Sequence, residues 1–165
     1  MKKLILLSAA LLYSFCSVAQ EQLSFPFQGG QQIMNRFFEK NLIVTPEIIQ
    51  KRATGLVLFK FTADERGRIT KMIIYYADDS ILAIPVVDAL KKSNKKWIIP
   101  DHEKLHDFII PFSFNINNLR ADSLAEIKPF INGIRNRKPI TTTNEVPLDL
   151  ATLLPVVNVN YDINP

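Results

Sequence analysis

Between residues 31 and 42 the apolar side chains Met34, Phe37, Phe38 and Leu42 recur at intervals of three or four, with Arg36, Glu39 and Lys40 between them. This spacing lines up one apolar stripe along a helix. Such a stripe can serve as a docking face, but a helix laid on its own core needs no partner and is the reading adopted. Thr45-Pro46 interrupts the pattern, and the period then falls to two. Val57, Phe59 and Phe61 alternate with Leu56, Leu58 and Lys60. After a polar break, Ile69, Lys71, Ile73 and Tyr75 alternate with Thr70, Met72, Ile74 and Tyr76. Two such runs joined by Asp64-Glu65-Arg66-Gly67 predict an antiparallel hairpin, with Gly67 free to take the positive φ of a tight turn.

Asp78-Asp79-Ser80 reads as a turn into a second helix that tolerates Pro85 near its first turn and buries Val86, Ala89 and Leu90. Lys91, Lys92, Lys95 and Lys96 crowd the end of that helix, where cations suit the dipole; a solvated helix end explains them without a binding patch. A third strand is predicted over 108–116, with Phe108, Ile110, Phe112, Phe114 and Ile116 on one face. Pro111 cannot donate to a ladder, so this strand lies at a sheet edge or has its free side at position 111. From Asn117 onward the pattern weakens. Leu124, Ile127 and Ile131 suggest a short helix capped by Asp122 or Ser123, with Pro129 inside it. Thr141-Thr142-Thr143-Asn144 reads as a loop. The last 20 residues, VPLDLATLLPVVNVNYDINP, are apolar but carry Pro147 and Pro155. They form either a strand paired onto the domain or a loosely attached tail.

The N-terminus changes the setting. Lys2 and Lys3 precede an apolar run over 4–15, and Ser17-Val18-Ala19 stand before Gln20. This is the layout of a secretory signal peptide over 1–19, cut between Ala19 and Gln20. An uncleaved anchor is the alternative, although the run is short of the roughly 20 residues a bilayer span needs. Lipidation of Cys16 is a third reading, disfavoured by Phe15 where lipoprotein signals carry a small residue. Cleavage would remove the chain's single cysteine, leaving a periplasmic or secreted protein without a disulfide in an oxidising compartment. The remaining residues are enough for one core. Loss of Lys2 and Lys3 leaves 18 basic against 16 acidic side chains, a net of +2. That balance does not suggest nucleic acid, whose binding rests on a dense positive face. After cleavage no integral membrane span is expected.

One motif invites an enzymatic reading. His102-Glu103-Lys104-Leu105-His106 matches H-E-x-x-H, the pattern that sets two zinc-binding histidines one helical turn apart around a catalytic glutamate. A zinc peptidase needs both histidines on one helix and a third ligand from elsewhere. Pro100 stands just before the motif and the strand pattern begins just after it. No third histidine exists, and nothing recommends Glu126 or Glu145 as a carboxylate ligand. The expectation is a polar connector, with no metal and no cofactor. No G-x-S-x-G elbow surrounds a serine, Asp78-Asp79 reads as a turn, and Gly29-Gly30 is too little for a phosphate loop, so no catalytic residues are assigned.

Taken in order, these elements resemble the C-terminal domain of TonB in its Bacteroidetes-type form over residues 25–116. The matching residues are Pro26, Gly29-Gly30, the FFEKNL helix end and Pro46. They continue with Gly55, Val57, Phe59 and Phe61, then Asp64 and Gly67 before Ile69. Trp97 and Pro100 follow the second helix, and Pro111-Phe112-Ser113-Phe114 closes the last strand. Thr45-Pro46 stands where the family often has Tyr-Pro, and Asp101 replaces the usual glycine after Trp-x-x-Pro. The chain shows neither the membrane anchor nor the proline-rich spacer of an energy transducer, and residues 117–165 form an extension. The resemblance implies an α+β fold, a three-stranded antiparallel sheet with two helices packed on one face. It also implies a function: the last strand receives a segment of an outer-membrane transporter as an added strand. Carried over, the peptide-binding residues are Phe108, Ile109, Ile110, Phe112, Ser113 and Phe114. The leading expectation is a non-enzymatic binding module of the cell envelope with a protein or peptide partner, linked in the family to TonB-dependent transport. A zinc peptidase and a purely structural envelope domain are the alternatives. The VVNVNYDI segment raises one further reading, that the tail occupies the edge itself.

Overall fold

The computed structural model describes residues 25–117, 119, 124–143 and 147–163. The expected signal peptide with its cut after Ala19, the Cys16 site, the Asp122 or Ser123 cap and Glu145 lie outside these residues.

Helix α1 (Gly30–Asn41) buries Met34 and Phe38, as its stripe predicts. Thr45-Pro46 does more than end it. The Thr45 hydroxyl accepts a hydrogen bond from the Ile48 amide and Pro46 takes the first helical position, so a short helix α2 (Pro46–Lys51) begins there. The hairpin follows, β1 (Gly55–Asp64) and β2 (Ile69–Ala77). Its turn is built by Asp64, whose carboxylate accepts from the amides of Arg66 and Arg68 and from the Arg68 guanidinium at 2.7–3.0 Å. Gly67 has φ 70°, and a Cβ there would lie 2.4 Å from the Trp97 carbonyl oxygen. Only glycine meets both conditions.

Helix α3 (Ser80–Lys92) is capped by Asp79 and buries Leu82, Val86, Ala89 and Leu90; Pro85 sits in its second turn. Beyond it Trp97 donates its indole N–H to the Ser93 hydroxyl at 2.9 Å. The Trp97 ring packs 4.5 Å from that of Phe61 and 5.1 Å from that of Phe27. With Phe38, Phe59, Phe108 and Phe112 these rings form an aromatic cluster within the core. Strand β3 (Leu105–Ile116) comes next, then helix α4 (Leu124–Arg135) and three short strands: β4 (Ile140–Thr141), β5 (Thr152–Leu153) and β6 (Val157–Tyr161).

The fold is α+β, but the sheet is larger than three strands. Among the described residues it has six, in the order β4-β2-β1-β3-β5, with β6 also paired to β3. The added strands all come from the extension. β1 pairs antiparallel with both neighbours, whereas β5 and β6 run parallel to β3. Parallel pairing needs a long return, which the segment after Asn117 provides. β4 and β5 sit on opposite edges, and the described residues from Pro147 lead into β5 over a face of the sheet. That face is the one away from the core: Lys60, which alternates with the buried Phe59 and Phe61, reaches the Pro147 carbonyl oxygen. The extension therefore supplies both edges and straps this face of the sheet.

Candidate peptide-binding groove on β3

Placing β3 at a free edge requires correction. One flank pairs with β1 along its length, Gly55 to Asp64 opposite Phe114 to Leu105. The other flank carries β5 opposite Phe108 and Ile109, and β6 opposite Phe112, Ser113, Phe114, Asn115 and Ile116. The physical reason is supply: once the extension lies within reach, a buried strand flank with unpaired N–H and C=O groups is filled by the nearest β-prone segment.

Pro111 fits this arrangement through its second predicted alternative. The Ile109 carbonyl accepts from the Leu154 amide, and the Asn117 amide donates to the Tyr161 carbonyl, each at 2.8 Å. Alternation along the strand therefore points the backbone of residue 111 toward the tail. Its missing N–H falls in the interval between β5 and β6, where Pro155 interrupts the tail as well.

The six expected contact residues divide by face. Phe108, Ile110, Phe112 and Phe114 point into the core and are fully buried; Ile109 and Ser113 point to the opposite face. By the same alternation these four turn their backbone groups toward β1, while Phe112 and Phe114 stand beside Val157 and Val159 of β6 on the core face; the backbone groups that meet the tail belong to Ile109, Ser113 and their odd-numbered neighbours.

The seat of β6 is specific. Val157, Val159 and Tyr161 are buried and Asn158 and Asn160 exposed, a strict alternation. The Tyr161 hydroxyl donates to the Ala53 carbonyl oxygen at 2.7 Å. Burial pushes that phenol up to about 12. Phe38, Leu42 and Val44 flank the strand on the helix side. Two further fasteners hold the strap upstream. Lys60 pairs with Asp107 at 2.9 Å, and Thr62 donates its hydroxyl to the same carboxylate at 2.6 Å. Burial raises the Asp107 pKa, but the hydrogen bonds from Lys60 and Thr62 outweigh it and leave the carboxyl below its ordinary value.

The second fastener is His106. Its Nδ1 lies 2.7 Å from the Glu103 carboxylate and its Nε2 lies 2.7 Å from the Thr152 hydroxyl of β5. A hydroxyl can donate to a bare ring nitrogen or accept from an N–H, so this link holds in either protonation state. His102 stands apart, in an exposed turn with φ 71°. The two histidines are thus on a turn and a strand, not one turn apart on a helix. Among the described residues no three His, Cys, Asp or Glu side chains are grouped to hold a metal ion.

The sheet keeps one open flank. β4 pairs with β2 only at Tyr76 and Ala77, and the Thr142 amide reaches Tyr75. Among the described residues no strand pairs with the outer side of β2 over 69–74, although the Asn94 side chain accepts from the Ile69 amide at 2.9 Å. Two extra residues there, Thr70 and Tyr75, break its register with β1, which makes it a poorer template for a straight added strand.

Sequence reasoning missed Thr152, Lys60 and Tyr161 as the residues that fasten the strap. Only Tyr161 had a visible signal, the alternation of Val157, Val159 and Tyr161. No family model, curated protein or solved structure matches the chain.

Proposed function

We propose that this protein is a non-enzymatic binding module of the cell envelope that takes up an extended peptide by strand addition on β3, in the place its own C-terminal strand now fills. The observation that carries the reading is the seating of β6: a five-residue segment lies parallel on β3 with alternate side chains in the core. Main-chain hydrogen bonds supply the affinity of such an addition, and pockets for alternate side chains supply its selectivity. A partner segment would therefore carry apolar residues at alternate positions, the last of them aromatic. The resemblance to the TonB C-terminal domain supports the same strand and the same class of partner, a segment of an outer-membrane receptor. The signal-like N-terminus supports the envelope. Among the described residues no helix is long and apolar enough to cross a membrane.

The tail is tethered by a short link from β5, so it competes at a high effective concentration. Loosening it must therefore raise the affinity for a free peptide. Replacing Tyr161 with Ala weakens the seat by about 3 kcal/mol, which allows up to about a hundredfold tighter apparent binding. The test is fluorescence anisotropy of a labelled peptide with the sequence of residues 155–163, titrated with the wild-type and Tyr161→Ala chains. Tighter binding to the variant is expected. No binding to either chain would make β6 a permanent seal and the domain a structural one.

A further inference from the structure

Helix α4 has an apolar stripe that the fold does not use. Leu124, Ile127, Ile131 and Ile134 follow at intervals of three, four and three, which puts them on one side of the helix. Leu124 is 83% exposed, Ile131 41% and Ile134 39%. None of the four belongs to the core or packs against it. The helix is held by another side. A Cβ on Gly133 would lie 2.3 Å from the Lys51 carbonyl oxygen, so α4 closes on α2 through that glycine, and Arg137 donates to the Thr54 carbonyl at 2.6 Å. An amphipathic helix normally buries its apolar side; here Leu124, Ile131 and Ile134 are exposed and Ile127 is half-buried.

The charges beside the stripe indicate its occupant. Lys128 lies four residues after Leu124 and three before Ile131. Arg135 lies four after Ile131, and Lys138 follows three residues beyond the helix end. All three cations are exposed. Glu126 is the one acidic residue between Leu124 and Lys138. A second copy fits poorly: two α4 helices laid stripe to stripe would bring together two sets of cations, Lys128 and Arg135 of each, with Glu126 as the one acidic residue of each helix. The stripe is also shallow, made of branched aliphatic side chains on a convex helix rather than a groove. A short apolar strip bordered by Lys and Arg is the arrangement that lies in the plane of an anionic bilayer, with the apolar side in the acyl boundary and the cations among headgroups.

We infer that α4 docks the domain on an anionic lipid surface, with Leu124, Ile127, Ile131 and Ile134 entering the interface and Lys128, Arg135 and Lys138 on the headgroups. This stands apart from the peptide-binding reading, since α4 takes no part in the β3 groove. The test is co-sedimentation of the full chain with vesicles of phosphatidylcholine alone or with 30 mol% phosphatidylglycerol, using wild type, Lys128→Gln/Arg135→Gln and Ile131→Ser/Ile134→Ser. Binding to the anionic vesicles only is expected, falling as salt rises. At about fivefold per cation, the Gln pair should lose about 25-fold in partitioning. The Ser pair should lose it as well while keeping the wild-type circular dichroism and melting temperature. Equal binding to both vesicle types, no binding to either, or variants that bind like wild type would overturn the inference. Self-association that the Ser pair abolishes, without vesicle binding, would assign the stripe to a second copy and overturn it too.

Discussion

Tyr161 is the point at which the tail can be loosened most cleanly. Its hydroxyl donates to the Ala53 carbonyl oxygen, and both residues are buried. Tyr161→Phe keeps the ring and removes only the donor. The stranded carbonyl then bears its desolvation without a partner, about 1–3 kcal/mol. Tyr161→Ala also removes the ring, and a buried aromatic truncated to alanine loses about 3–5 kcal/mol. At this chain length each kcal/mol moves the unfolding midpoint by roughly 3–5 °C. Tyr161→Phe should therefore melt about 3–15 °C below wild type and Tyr161→Ala about 9–25 °C below it. Leu153 on β5 is 68% exposed, so Leu153→Ala should stay within about 0.5 kcal/mol and serves as the control. Calorimetry gives the global effect, and amide exchange over 157–161 shows whether the tail opens before the rest. The reasoning fails if Tyr161→Phe melts with wild type and Tyr161→Ala does no more than Leu153→Ala, because β6 would then contribute nothing to the folded state.

The same residue sets an alkaline limit. The phenol is held neutral in the folded protein up to about 12, against about 10 in the unfolded chain. Its stabilisation is complete below pH 10 and is lost as pH rises through 12; denaturant titrations from pH 9 to 12 should show that loss in wild type and a reduced loss in Tyr161→Phe. The two histidines of the H-E-x-x-H stretch should behave unlike one another. His102→Gly relieves a positive φ and should leave stability unchanged or slightly raised, whereas His106→Ala strands Thr152 and should cost about 1–3 kcal/mol, read from urea midpoints. Gly67→Ala places a methyl against the Trp97 carbonyl in a left-handed turn; we expect a loss above about 2 kcal/mol, and a wild-type midpoint would refute the account of the hairpin.

Much of the fold was legible because its cause is local. The stripe of Met34 and Phe38, the alternation of Phe59 and Phe61, and Gly67 in its turn each state a period or a backbone need within a few residues. The short helix after Thr45 has only Thr45-Pro46 to mark it, and that pair is a start signal as much as a stop. The candidate site was half legible. The alternation of Phe108, Ile110, Phe112 and Phe114 marks one face of a strand, and Pro111 a gap in its ladder. What filled the other flank depended on a return of some 40 residues, and parallel pairing leaves no nearby turn to mark it. His106 shows the converse: its motif is local and suggests a helix, while its partners, Glu103 and Thr152, make it a clasp between β3 and β5.

The central claim is that β3 is a strand-receiving surface whose present occupant is exchangeable. It is tested most directly by NMR of the isotopically labelled Tyr161→Ala chain with an excess of unlabelled peptide of residues 155–163. The account predicts that amides over 109–117 shift, while those over 157–161 move toward random-coil positions as the tail leaves. Shifts confined to 69–74 on the open flank of β2, or an unchanged β6, would contradict it.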